Sequence, residues 1–163
     1  MLSGETSVGK YPVQVVESMQ KIIDATEKGF NFFRSNPPRE FSRTYLSDSI
    51  CFNACKMAEQ TDARAIITFT HSGYTAFRIA SHRPKANIFA FTDNKRIVNK
   101  LSLVWGVRTY FTETFSNIDE TINHSTERLL EMNLIQEEDV VIHVGSTPIP
   151  ERGRTNMIKL SYV

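Results

Sequence analysis

With 163 residues, a hydrophobic fraction of 40% and a charged fraction of 23%, the chain has room for one globular domain and a short appendage. Its 19 Lys and Arg against 18 Asp and Glu leave a net charge of +1, which gives no bulk support for nucleic-acid binding. No apolar run approaches the roughly 20 residues that cross a bilayer, and the polar N-terminus lacks a basic-then-apolar leader. These features predict a cytoplasmic protein with neither a membrane nor a nucleic acid as partner.

The first ten residues contain Gly4-Glu5-Thr6-Ser7-Val8-Gly9-Lys10, the G-x-x-x-x-G-K spacing of a phosphate-binding loop. Such a loop needs a Ser or Thr after the Lys, whose hydroxyl joins the Mg2+ shell, and a buried strand before the first Gly. Tyr11 and Pro12 follow instead, and only Met1, Leu2 and Ser3 precede Gly4. Residues 1–10 therefore read as a loop leading into a helix, with Pro12 in the first turn, where its missing N–H costs nothing. Val13, Val16, Met19, Ile22 and Ile23 recur at three- and four-residue spacing and predict an amphipathic helix running to Gly29. A chain that opens this way looks as if it starts in the middle of a fold.

Residues 31–44, with Arg34, Pro37, Pro38, Arg39 and Arg43, read as a linker to a compact unit. There Ser47 or Asp48 caps a helix through Ile50, Ala54, Met57 and Ala58 to about Gln60. Ala65–Phe69 is a short apolar strand, and a helix through Ala76, Phe77, Ile79 and Ala80 stops before Pro84. Residues 87–91 form a second strand, after which Asp93 or Asn94 opens a helix through Ile97, Val98 and Leu101. Gly106 turns the chain into a strand over residues 107–111, and a longer helix spans about residues 117–132. Residues 140–144 are the most strand-like run, and a loop over residues 145–154 leads to a last strand around residues 157–163.

Short buried strands alternating with helices predict an α/β fold of three layers: a five-stranded, mostly parallel sheet with helices on both faces. The last loop is too short for a parallel crossover, so the last strand is an antiparallel edge. Cys51 and Cys55 stand four apart on a helix and read as buried, reduced thiols. A Zn2+ site needs four ligands, and His71, His82, His124 and His143 show no ligand spacing with them, so no metal is expected.

In such a sheet ligands bind beyond the carboxyl ends of the strands. Thr70-His71-Ser72-Gly73-Tyr74-Thr75 lies there, offering three hydroxyls, a permissive glycine and the N–H groups of a helix N-terminus, a combination that suits phosphate. The same hydroxyls suit plain helix capping, and the residues leave both readings open. The loop over residues 145–154 also follows a strand, and Arg152 and Arg154 near Thr155 could grip a phosphate bidentately. Neither His71 nor His143 has a nucleophile, a carboxylate dyad or a G-x-S-x-G elbow beside it, so the unit reads as a binder. No G-x-G-x-x-G follows a strand, which removes a dinucleotide-dependent oxidoreductase.

Taken together these residues resemble pyruvate kinase. Met1 to Pro12 and the helix after them look like the loop behind the last strand of its catalytic barrel and the last barrel helix. Ile66-Ile67-Thr68-Phe69-Thr70-His71-Ser72-Gly73-Tyr74-Thr75-Ala76 and Arg83-Pro84-Lys85-Ala86-Asn87-Ile88 continue the likeness in order. Trp105-Gly106-Val107, Asp139-Val140-Val141 and Gly153-Arg154-Thr155-Asn156 complete it over essentially the whole chain.

The resemblance implies residues 1–29 as the tail end of the barrel, 30–45 as a linker and 46–163 as the C-terminal regulatory and oligomerisation domain. The parent enzyme it implies transfers phosphate from phosphoenolpyruvate to ADP in glycolysis, uses Mg2+ or Mn2+ and K+, and forms a homotetramer. The fragment alone is expected to be inactive and to hold no cofactor. By position Ser3 and Glu5 match barrel-loop residues that face the active site. Thr70, Ser72, Gly73 and Thr75 match the loop that holds a phosphorylated small-molecule effector, and Gly153 and Thr155 match its closing loop. His71, Arg152 and Arg154 complete the candidate effector-phosphate set.

Departures accompany the match. His71 and Tyr74 stand where cationic or amide residues are frequent, Glu151 adds negative charge, and residues 117–130 do not match the Trp and Arg that grip a second sugar phosphate. A monophosphate, another effector or lost effector control follows from these. A standalone phospho-ligand-binding module without a barrel is the alternative, and the upstream reading frame separates the two.

Overall fold

The computed structural model describes residues 2–28, 32–38, 42–113, 117–148, 151 and 153–163. The chain divides into two units, Met1–Asn31 and Phe32–Val163.

In the first unit the loop predicted over residues 1–10 contains one helical turn, α1 (Gly4–Ser7). Four residues are too few to leave a periodic signature, which is why the pattern misses it. The amides of Val8 and Gly9 donate to the Gly4 carbonyl at 2.9 and 3.1 Å. A Cβ on Gly9 would lie 2.2 Å from the Glu5 carbonyl oxygen, so backbone crowding requires a glycine here. Gly9 of the motif thus has a local, backbone cause. Pro12 opens α2 (Pro12–Glu27), along which Val13, Val16, Ile22 and Ile23 are exposed. The predicted helix end at Gly29 lies outside the described residues.

The second unit carries α3 (Tyr45–Gln60), β1 (Ala65–Phe69), α4 (Tyr74–Ser81), β2 (Asn87–Thr92), α5 (Lys95–Leu101), β3 (Val107–Phe111), α6 (Ile118–Glu131), β4 (Val140–Gly145) and β5 (Met157–Tyr162). The strands form one sheet in the order β3-β2-β1-β4-β5, parallel throughout except for β5, which runs antiparallel to β4. Alternation divides the sheet into two apolar faces. Ile66, Ile88, Ile142 and Val144 pack with Cys51, Ala54, Cys55 of α3 and Ile79, Ala80 of α4. Ala90 on that face meets Ala76 of α4 and Leu101 of α5. On the other face Ala65, Ile67, Phe89, Phe91 and Val141 pack against Leu129 of α6 and Ile135. The result is the predicted three-layer α/β sheet with an antiparallel edge.

Helix starts follow cap chemistry where the cap is local. The Asn94 and Asn117 side chains accept from the amides of Arg96 and Asp119, capping α5 and α6. In α3 the prediction fails, because Thr44 is the N-cap while Ser47 and Asp48 lie inside the first turn and are buried. Both are drawn inward by distant partners, described below. Upstream, the Arg34 amide donates to the His82 carbonyl at 2.7 Å and Phe33 packs on the core beside α3.

Candidate functional site

Because β1 lies mid-sheet with parallel neighbours, its carboxyl end is flanked by those of β2 and β4. This is where a doubly covered sheet offers loop backbone and helix N-termini to a ligand. The Thr70 amide donates to the Phe91 carbonyl at 3.0 Å, holding the loop against β2. Gly73 has φ of +83°, and a Cβ there would stand 3.2 Å from Ile97 Cγ2, so the left-handed turn into α4 calls for glycine. The Gly73 amide donates to Thr70 Oγ1 at 3.0 Å and the Tyr74 amide to Ser72 Oγ at 3.4 Å. Two of the three loop hydroxyls therefore brace the turn, the capping role that the residues allow. Bracing does not exhaust them, since a hydroxyl that accepts one bond still has its own proton to donate.

The opposite wall comes from the segment between β4 and β5. Thr155 is buried, with Oγ1 2.7 Å from Thr75 Oγ1, and its carbonyl accepts from Ser47 Oγ at 3.3 Å. Asn156 shapes the approach: its side chain accepts from the Thr147 amide at 2.9 Å and donates to the Thr147 carbonyl at 2.8 Å. Arg154 donates to the Arg43 carbonyl at 2.6 Å. Between these walls lies a cleft of about 450 Å³ lined by Thr44, Ser47, Phe69, Thr70, His71, Ser72, Tyr74, Thr75, Ser146, Gly153, Arg154 and Thr155. The structure thus gathers Thr70, His71, Ser72, Thr75, Gly153, Arg154 and Thr155 around one cleft and sets Gly73 at its helix start. Arg152 lies outside the described residues. Ser3 and Glu5 belong to the first unit, where Ser3 Oγ donates to Glu5 Oε2 at 2.9 Å. Backbone and Ser3 hydrogen bonds hold the exposed Glu5 carboxyl below the ordinary range.

One wall of the cleft rests on a buried carboxylate. Asp48 Oδ1 accepts from the Tyr74 hydroxyl at 2.5 Å and from Arg78 Nε at 2.9 Å, while Thr44 Oγ1 donates to Oδ2 at 2.9 Å. Its side chain is 8% exposed, so this network fixes Tyr74 and binds α4 to α3. Burial, then the hydrogen bond to Asp48, raises the Tyr74 hydroxyl above the usual phenol range. His71 Nδ1 stands 2.6 Å from Asp93 Oδ1, in the segment after β2. Among the described residues no group of three or more His, Cys, Asp or Glu could hold a metal ion.

Residues singled out for other roles sit elsewhere. His143 is buried on the α6 face, parallel to the Phe69 ring at 6.3 Å and 3.3 Å from Thr126 Oγ1. Burial, helped by Lys159, pushes its imidazole down to about 4, so it is neutral at ordinary pH and remote from a base's task. Burial pushes the Cys51 thiol up to about 12 and the Cys55 thiol higher still. Thr44, Ser47, Phe69, Ser146 and Asp93 are the site's unforeseen members. Ser146 and Asp93 could have been found, since each follows the carboxyl end of a strand flanking β1.

Residues 48–161 match the family described as pyruvate kinase, alpha/beta domain. The chain belongs to the pyruvate kinase family. It is 35% identical to a pyruvate kinase of Clostridium acetobutylicum and 34% identical to one of Geobacillus stearothermophilus, in both cases over its full length. The alignments cover 35% and 28% of those proteins, so the chain spans about a third of the length of the curated relatives it matches. Among solved structures, a pyruvate kinase from Cryptosporidium parvum matches 99% of the chain, and 32% of its own, at a TM-score of 0.83 and 26% identity. No described helix is long and apolar enough to cross a membrane.

Proposed function

We propose that the chain is the C-terminal regulatory and tetramer-forming part of a pyruvate kinase. The parent enzyme transfers the phosphoryl group of phosphoenolpyruvate to ADP, giving pyruvate and ATP in glycolysis. It works in the cytoplasm as a homotetramer, with Mg2+ or Mn2+ and K+ serving a barrel that carries the chemistry. Full-length likeness to pyruvate kinases from two bacteria supports this reading, although a relative from tobacco is a chloroplastic isozyme. The purified chain should make no ATP from phosphoenolpyruvate and ADP, and ATP formation above background would refute the division of labour.

In this reading the cleft takes the phosphate of a small-molecule effector. The observation that carries it is the meeting of the α4 N-terminus, the Thr70, Ser72 and Thr75 hydroxyls and Arg154 around one cavity of about 450 Å³. Helix N–H groups and hydroxyls bind phosphate oxygens, and Arg154 supplies lasting positive charge. With one permanent cation in the described lining, a monophosphate is the better fit. Calorimetry with a sugar monophosphate and with fructose 1,6-bisphosphate tests this. The monophosphate should bind, and Ser72→Glu should abolish it by placing a carboxylate where the phosphate sits. Monophosphate binding undiminished in that variant would move the ligand elsewhere, and tight bisphosphate binding abolished by Ser72→Glu would overturn the preference for a monophosphate.

A further inference from the structure

We propose that His82 is an acid-released clasp on the stretch that opens the second unit, holding Arg34 while its ring is neutral and letting it go when the ring takes a second proton. The contact has two bonds. The Arg34 amide donates to the His82 carbonyl at 2.7 Å, and His82 Nδ1 lies 3.1 Å from the Arg34 carbonyl oxygen. A carbonyl only accepts hydrogen bonds, so the imidazole proton sits on Nδ1, where it does the work of a partner strand's amide. The neutral ring then leaves Nε2 with a bare lone pair. That atom is buried and has no hydrogen-bond partner among the described residues.

The surroundings set the second proton against the closed contact. His82 is the C-cap of α4 and is 6% exposed, with the Phe52 ring of α3 edge-on at 5.4 Å. A second proton puts a donor and a charge on Nε2, where no acceptor meets them. Burial disfavours that charge and holds the imidazole below its ordinary range, outweighing the Arg34 carbonyl, which favours the proton. Arg78 of α4 opposes the proton and Asp48 of α3 favours it, but the Asp48 carboxylate already accepts from Arg78 and Tyr74. The adjoining Arg83 turns its guanidinium over the Trp105 ring at 4.7 Å. Opening is the easier response. Residues 32 and 34–37 are exposed and only Phe33 between them is half-buried, so this stretch can leave without unpacking the sheet. The open ring protonates as an ordinary imidazole while the closed ring refuses, so opening grows as pH falls below about 6.5. Acid thereby loosens the start of the second unit, where it takes over from Met1–Asn31, whatever the cleft binds.

Hydrogen exchange of the whole chain, followed by NMR and corrected for the intrinsic rate at each pH, reads the clasp at the Arg34 amide. Its protection should fall at least about threefold between about pH 7.5 and about pH 5. The ceiling is about thirtyfold, set by an imidazole that protonates only when open. The nitrogen-15 spectrum of the His82 ring should show the proton on Nδ1 at about pH 7.5, and protonation of the ring should track the fall at Arg34. His82→Asn sets an amide N–H near the place of Nδ1 and does not titrate, so the protection of Arg34 should not change with pH in that variant. Unchanged protection in the wild type, a fall that persists in His82→Asn, a fall while the ring stays neutral, or a neutral ring protonated on Nε2 would each overturn the proposal. Equal protection of Arg34 and of Ile67 in β1 would do so too, because the stretch would then open only with the whole sheet.

Discussion

Buried and neutral, His143 gives this fold a built-in sensitivity to acid. The side chain is fully buried, and its Nδ1 has no hydrogen-bond partner among the described residues to welcome a proton. Above about pH 6.5 the imidazole is neutral whether the chain is folded or not, and its protonation has no effect on stability. Below that value the unfolded chain takes up a proton that the folded chain refuses until about pH 4, so stability falls as pH drops through this window. At about 1.4 kcal/mol for each pH unit between the two values, the full loss is roughly 3 kcal/mol, and about 2 kcal/mol of it is gone by about pH 5. That is a sizeable part of the 5–15 kcal/mol that separates a typical domain from its unfolded state. Urea unfolding followed by the fluorescence of Trp105 measures it at a series of pH values. His143→Leu removes the titrating group at similar volume. The difference between wild type and variant should shrink by about 2 kcal/mol in the variant's favour between about pH 7.5 and about pH 5. His82, which burial also depresses, stays in both proteins and cancels from that difference. Stability curves that run parallel over this range would refute the reasoning.

Three further outcomes follow from the site and its supports. Asp48→Ala should cost about 3 kcal/mol by leaving Arg78 and the Tyr74 hydroxyl without their acceptor, and Asp48→Asn should cost less, both read by urea unfolding. Gly73→Ala should destabilise by about 1–2 kcal/mol through its left-handed backbone and should weaken anion binding, which unfolding and calorimetry separate. Cys51 and Cys55 should both resist an aromatic disulfide reagent in the native protein at about pH 8 and react at once in denaturant, because burial holds them as thiols.

What the sequence discloses depends on whether a feature is made by neighbours or by distant partners. The apolar runs of β1 and β4 are buried on both faces and read as strands without help. The ten residues or so between β4 and β5 leave no room for a crossover, so the antiparallel edge is legible as well. Asn94 and Asn117 cap with their own side chains and are equally plain. Asp48 is the contrary case: a sound N-cap by residue type, it sits inside α3 because Tyr74 and Arg78 hold it there. Ser47 is drawn in by Thr155 across 108 residues, a bond that no local pattern records. In the site, Thr70, Ser72 and Thr75 are legible because loop hydroxyls before a helix are a local signature. The His71–Asp93 pair is hidden by a separation of 22 positions and appears only once β1 and β2 are in register.

The bond between Thr75 and Thr155 joins positions 80 residues apart, across strands and helices that must all be in place before the two hydroxyls can meet. Closing so long a loop costs entropy that only the finished sheet repays, so the cleft belongs to the completed fold and to no partly assembled form. A ligand seated there distinguishes the native chain from every intermediate that lacks β4 and β5 beside β1. By mass action, any ligand that binds only where the cleft is complete raises the share of chains in the finished fold.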